Sequence, residues 1–131
     1  MANTPRTPSY LNTKQSNIIQ VVWSGLDGDD SGIPVNMSKC SDKTVHIYSP
    51  TATYGGATVI MEGTNDPRGD PNHSDHANAI WDILTDIQAN AISKTANAIE
   101  VILENPLWIR PNTSGGTGSD ITVNLVGKRT P

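Results

Sequence analysis

The chain has 131 residues and a mass of 14.0 kDa, enough for one domain with a real core and no need of covalent staples. Only 35% of its residues are hydrophobic, phenylalanine is absent, and eleven glycines and nine prolines are present, a composition for short strands and loops rather than a helical bundle. Thirteen acidic against nine basic residues give a formal charge of −4 with the basic residues scattered, which argues against nucleic acid as a principal partner.

The longest apolar runs are about half a dozen residues, far short of the roughly 20 that a membrane helix needs. The first residues lack the apolar stretch of a cleavable signal, so a soluble protein without membrane contact is expected. The single cysteine, Cys40, excludes an internal disulfide.

Residues 1–17 are rich in Thr, Pro, Asn and Ser, with only Tyr10 and Leu11 to bury, and are read as a flexible arm ahead of one domain at 18–131. The stretch 18–23, IIQVVW, is the first strand, apolar on both sides of its alternation. A Gly- and Asp-dense loop covers 24–34. Weak alternation follows at 35–38, a better strand at 43–48 with Val45 and Ile47 on one face, and another at 57–62, ATVIME.

Residues 63–72 have strong turn composition, and 77–89 fit either a strand or a short helix. From 99 to 104, Ile99, Val101 and Leu103 alternate with Glu100, Ile102 and Glu104, which predicts a strand buried on one face. Pro106 marks a break, a short strand at 107–110 ends at Pro111, and 112–119 is a turn. Residues 120–126 alternate again, with Ile121, Val123 and Leu125 on the apolar face. Short strands at this spacing predict an all-β fold, a single antiparallel β-sandwich of jelly-roll type with an extended N-terminal arm.

Sites are sparse. The segment 27–32, DGDDSG, matches the opening of a calcium loop, but Ser38 stands where its final Glu is required, so it reads as a solvated acidic turn. His73, Asp75 and His76 follow Asp66 and Asp70 in a loop without a rigid scaffold, and no metal is expected there. No nucleotide, nucleophile or redox motif is present. No catalytic residue or cofactor is expected, and Cys40 reads as a small packed side chain. Trp23, Trp81 and Trp108 are candidates for a carbohydrate platform, with a core role as the plainer reading.

The succession VVWSGLDGDDSGIPV, KTVHIY, GGATVIMEGTND, a strand at Trp81, AIEVILENPLWIRP and DITVNLVGKR resembles the capsid decoration, or cement, proteins of tailed bacteriophages with a jelly-roll-like β-sandwich. The resemblance covers about residues 18–129. It implies a virion protein without catalytic activity, assembled in the host cytoplasm, that sits on the capsid surface and ties neighbouring major capsid protein subunits together. The alternative is a carbohydrate-binding module of a head or tail fibre. Partner contacts are expected at Tyr10 and Leu11 on the arm and at Ile18, Val22, Ile60 and Ile102, whose apolar side chains fall on predicted outer faces. A second or third copy is expected to cover them, giving a homodimer or homotrimer.

Overall fold

The structure of the protein, a computed structural model, describes residues 4–11 and 17–129, and of Thr4 and Leu11 the backbone alone. In chain order its strands are β1 (Thr4–Arg6), β2 (Ser9–Leu11), β3 (Ile18–Leu26), β4 (Asp30–Gly32), β5 (Val35–Asn36), β6 (Cys40–Tyr48), β7 (Thr58–Thr64), β8 (Asp82–Ile83), β9 (Ser93–Lys94), β10 (Ala98–Ile102), β11 (Trp108–Ser114) and β12 (Ile121–Arg129). Two single 3-10 turns, Pro67–Gly69 and His76–Asn78, lie between β7 and β8.

The strands form two sheets. The five-stranded sheet runs β10-β6-β12-β3-β2. The seven-stranded one runs β1-β4-β11-β7-β8, with β5 also on β11 and β9 also on β7. Taking β4 with β5 and β8 with β9 as single broken strands, and leaving the arm aside, the first strand neighbours the last and successive pairs interleave between the sheets. That winding is a jelly roll, and every pairing is antiparallel except β1 on β4.

Alternation decides which side chains enter the space between the sheets. Val45 and Ile47 of β6, Val59 and Met61 of β7, Ile109 of β11, and Val123 and Leu125 of β12 are fully buried, as are Trp23 and Leu26 of β3. Trp23 satisfies its indole by donating from Nε1 to the Ile33 carbonyl at 3.1 Å. Gly32 lets the backbone pass close to this ring, since a Cβ there would lie 2.5 Å from Pro111 Cδ and 2.7 Å from Trp23 Nε1.

Lys43 also points inward and is 1% exposed. Its ammonium donates to the Cys40 carbonyl at 3.2 Å and to Asn105 Oδ1, and burial pulls its pKa down.

Three expectations change. Ile102 is 3% exposed in the core, whereas Ile99, Val101 and Leu103 face solvent. The face with more apolar residues is thus the outer one. β10 pairs with β6 as Ile102↔Lys43 and Glu100↔Val45, which puts its even-numbered residues on the side of buried Val45 and Ile47.

Pro111 does not end a strand, because β11 continues through it to Ser114. It falls where the neighbours of β11 on one side change from β5 to β4, a break that tolerates a missing N–H. Residues 77–89 are mostly irregular, containing the end of one 3-10 turn and the two-residue β8.

The stretch read as an arm contributes β1 and β2, one to each sheet. β1 runs parallel to β4 with Arg6 opposite Gly32, and β2 pairs with β3 through Ser9↔Val22 and Tyr10↔Val21. The remaining arm positions, 1–3 and 12–16, and the Leu11 side chain lie outside the described residues.

Candidate assembly surface

Because the two sheets lie in register, the sandwich has two lateral sides. One is formed by the arm on β3 and β4, the other by β8, β9 and β10. On the arm side, Arg6 adds a side-chain and a main-chain tie to the pairing of β1 with β4 and of β2 with β3. Its Nε lies 2.7 Å from Asp30 Oδ2, and its carbonyl accepts from the Ile33 N–H at 2.7 Å. Asp30 is buried, so the arm carries the counter-charge of an interior carboxylate. Tyr10 remains 65% exposed.

On the other side, residues 82–94 are clamped against β10. The Thr85 N–H donates to Glu104 Oε1 at 2.8 Å and its hydroxyl to Glu104 Oε2, while its carbonyl accepts from the Leu103 N–H at 2.9 Å. Burial opposes ionisation of Glu104, but the Thr85 bonds outweigh it and hold the carboxyl below its ordinary range. Asp86 caps its own turn, accepting from the N–H groups of Gln88 and Asn90 at 2.9 and 3.1 Å, and the bond from Asn90 leads in lowering its pKa. Lys94 of β9 reaches across to Glu100 of β10 at 3.2 Å.

With the polar groups so engaged, the outward positions are apolar. Ile99 is 67% exposed and Leu103 52%, with Val101 exposed between them on the outer face of the five-stranded sheet; Ile87 is 66% exposed in the turn after Asp86, and Ile83, opposite Glu62, is exposed on the outer face of the seven-stranded sheet. β10 reads AIEVI, without the Lys, Pro or bulge that commonly guards an edge strand, and it has no strand partner beyond β6 among the described residues.

A groove of about 350 Å³ lies beside the outer face of the seven-stranded sheet, between β1, β4, β11 and residues 76–81. The Arg110 guanidinium lies 4.1 Å from the centre of the Trp81 ring, and its Nε is 3.1 Å from Glu62 Oε1. His76 meets Trp81 edge-on at 6.4 Å and donates from Nδ1 to the Arg68 carbonyl at 2.7 Å. Arg68 in turn grips Asp66, with 2.8 Å between Nη2 and Oδ2, and these bonds hold the Asp66 carboxyl far below its ordinary range. The His- and Asp-rich loop is therefore bonded within itself, and no group of three or more His, Cys, Asp or Glu is placed to hold a metal among the described residues.

The acidic turn at 27–32 is a clamp. Asp27 and Asp29 accept from the N–H groups of Ser119 and Gly115, fixing the glycine-rich turn after β11. Cys40 is buried, and desolvation raises its thiol pKa.

The predicted contact residues do not form one patch. Tyr10 is exposed on the arm side, Ile18 and Val22 are half-buried on the outer face of β3, Ile60 is half-buried on the opposite sheet, and Ile102 is internal. Among the tryptophans, Trp23 is fully buried and unable to serve as a platform. Trp108 packs over Gly69, and Trp81 alone lines the groove. The outward row Ile99, Val101 and Leu103 was present in the sequence as a perfect alternation, but nothing in it marked which face the second sheet would cover.

No protein-family model and no curated protein sequence matches the chain. Among solved structures, the chain is similar to the SPBc2 prophage-derived protein YomS, with 12% identity over 88% of this chain and 98% of the other, at a TM-score of 0.58. Looser overlaps include the cupin domain of Schizosaccharomyces pombe Cnp3, with 4% identity over 94% of this chain and 60% of the other at a TM-score of 0.45. KdgF from Halomonas sp. overlaps with 10% identity over 94% and 78% at 0.40. The first likeness extends over nearly the whole of both chains and concerns the fold alone.

Proposed function

We propose that the chain is a bacteriophage structural protein that binds the outer capsid surface and ties neighbouring major capsid protein subunits together without catalysing a reaction. The observation that carries this reading is the exposed apolar row Ile99, Val101 and Leu103 along the edge strand β10, with exposed Ile87 in the turn that is held against it through Thr85. Side chains of this size, gathered on one lateral side of a small sandwich, have the character of a surface that another protein covers. A solved structure with this winding is named as prophage-derived, which supports a phage setting. Many copies on one lattice turn modest single contacts into strong attachment.

The test is co-sedimentation with cognate shells lacking the protein. Ile87→Lys and Leu103→Lys, both at exposed positions, keep the fold and lose binding; unchanged binding by both variants refutes this surface.

A second reading, carbohydrate binding, is favoured by the groove at Trp81, where an indole, Arg110, Glu62 and His76 converge. Glycan-array binding that disappears with Trp81→Ala supports it, and an empty array removes it.

A further inference from the structure

We propose that two copies of this chain pair edge to edge through β10, antiparallel across a two-fold axis at Glu100, joining their five-stranded sheets into one. The pairing names a self-partner for the lateral side just described, and so rests on that side being an assembly surface. Main-chain direction is the first argument. The Leu103 N–H turns to the Thr85 carbonyl rather than to β6. In a regular strand these groups alternate sides, so Val101 and Ile99 present theirs to the same open edge.

The rest of the five-stranded sheet agrees with this phase. If the odd-numbered groups of β10 face outward, its even ones bond β6, the even groups of β6 then bond β12, and the odd groups of β12 bond β3. The Arg129 N–H, next in the odd series, does bond the Asn17 carbonyl on the β3 side.

Side chains then choose the register. With the axis at Glu100, Ile99 lies opposite Val101 of the second copy and Val101 opposite its Ile99, two hydrogen-bonded pairs whose outward side chains are all apolar. An axis at Val101 needs the Leu103 N–H, which Thr85 already holds, and an axis at Ile99 sets Val101 against the exposed Asn97.

Charge counts in part against this register. It brings the two Glu100 side chains face to face, which opposes pairing. Lys94 at 3.2 Å offsets part of that repulsion, while Asp86 also lies against Glu100, so the main-chain direction and the apolar register carry the pairing. The product is a single outer face on which the apolar stripes of both copies merge.

The experiment uses the full chain in solution, without shells. Directly opposed residues of a non-hydrogen-bonded pair have Cα atoms roughly 4.5 Å apart, within disulfide reach, whereas diagonal neighbours lie at roughly 7–8 Å, outside it. Under mild oxidation Glu100→Cys is therefore expected to form a covalent dimer on a non-reducing gel while Ile99→Cys does not, with wild type, whose Cys40 is buried, as the blank.

In sedimentation, wild type is expected to dimerise, and Val101→Lys to weaken dimerisation by about tenfold or more at an unchanged melting temperature. Wild type that stays monomeric, equal cross-linking at positions 99 and 100, or a dimer indifferent to Val101→Lys each overturns the pairing. None of these results bears on shell binding, which the Ile87 and Leu103 variants test separately.

Discussion

Truncating Ile102 and Ile99 to alanine in parallel tests which face of β10 is internal. Ile102 is 3% exposed, and Ile102→Ala removes three carbons from the core. At about 0.8 kcal/mol per buried carbon the transfer loss alone is about 2.4 kcal/mol. An incompletely collapsed cavity moves the cost toward the upper part of the roughly 2–5 kcal/mol range for such truncations. The site lies on an edge strand, where neighbours relax more freely, so about 3 kcal/mol is expected.

For a chain of this length each kcal/mol shifts the melting temperature by roughly 3–5 °C, so Ile102→Ala should melt roughly 10–15 °C lower. Ile99 is 67% exposed, and Ile99→Ala should stay within about 0.5 kcal/mol of wild type. Urea titration with tryptophan fluorescence reads both values, since the buried Trp23 reports on the core. Equal losses, or a larger loss at Ile99, would refute the assignment of faces.

Three further outcomes follow from individual contacts. Arg6→Ala strips the buried Asp30 carboxylate of its ion pair and should lower stability by about 1–2 kcal/mol, the Arg being 40% exposed. Deleting residues 1–11 should cost at least as much by calorimetry, so the arm is a stabilising element as well as a candidate contact; an unchanged melting temperature would contradict this. Gly32→Ala should cost about 1–3 kcal/mol in urea titration, because its Cβ would press on Pro111 and Trp23.

The acid limb follows from linkage. Asp86 and Glu104 have folded pKa values below their ordinary 3.8 and 4.5, so near and below pH 4 the unfolded chain binds more protons than the folded one. Their contribution is present above that range and fades as pH falls through the folded values. Glu104→Gln should flatten the fall between about pH 5 and 3 in melting temperature against pH.

The strands were legible because alternation and turn chemistry are local. Val45 with Ile47, and Ile121 with Val123 and Leu125, mark strands and their inner faces without help, while the order in which the strands wind into a jelly roll depends on long-range pairings that no local pattern states. Which face of β10 is internal was not legible. Three apolar residues stand on one face and one on the other, so counting selects Ile99, Val101 and Leu103 as the core side. The pairing with β6, a contact across some fifty residues of sequence, reverses that choice.

Pro111 misled for a related reason. A proline stops a strand only where a partner requires its N–H, and the exchange of β5 for β4 beside it is invisible in the sequence. The groove at Trp81 had a partial signal in the tryptophan itself, but Arg110 and Glu62 meet it only once β7 and β11 pair.

The most direct test of the capsid reading is the copy number of the chain in purified particles, measured by quantitative mass spectrometry against the major capsid protein. A lattice-covering structural protein is predicted to occur in the same order of abundance as the shell subunit. A few copies per particle, as for a fibre component, or none at all would contradict the account.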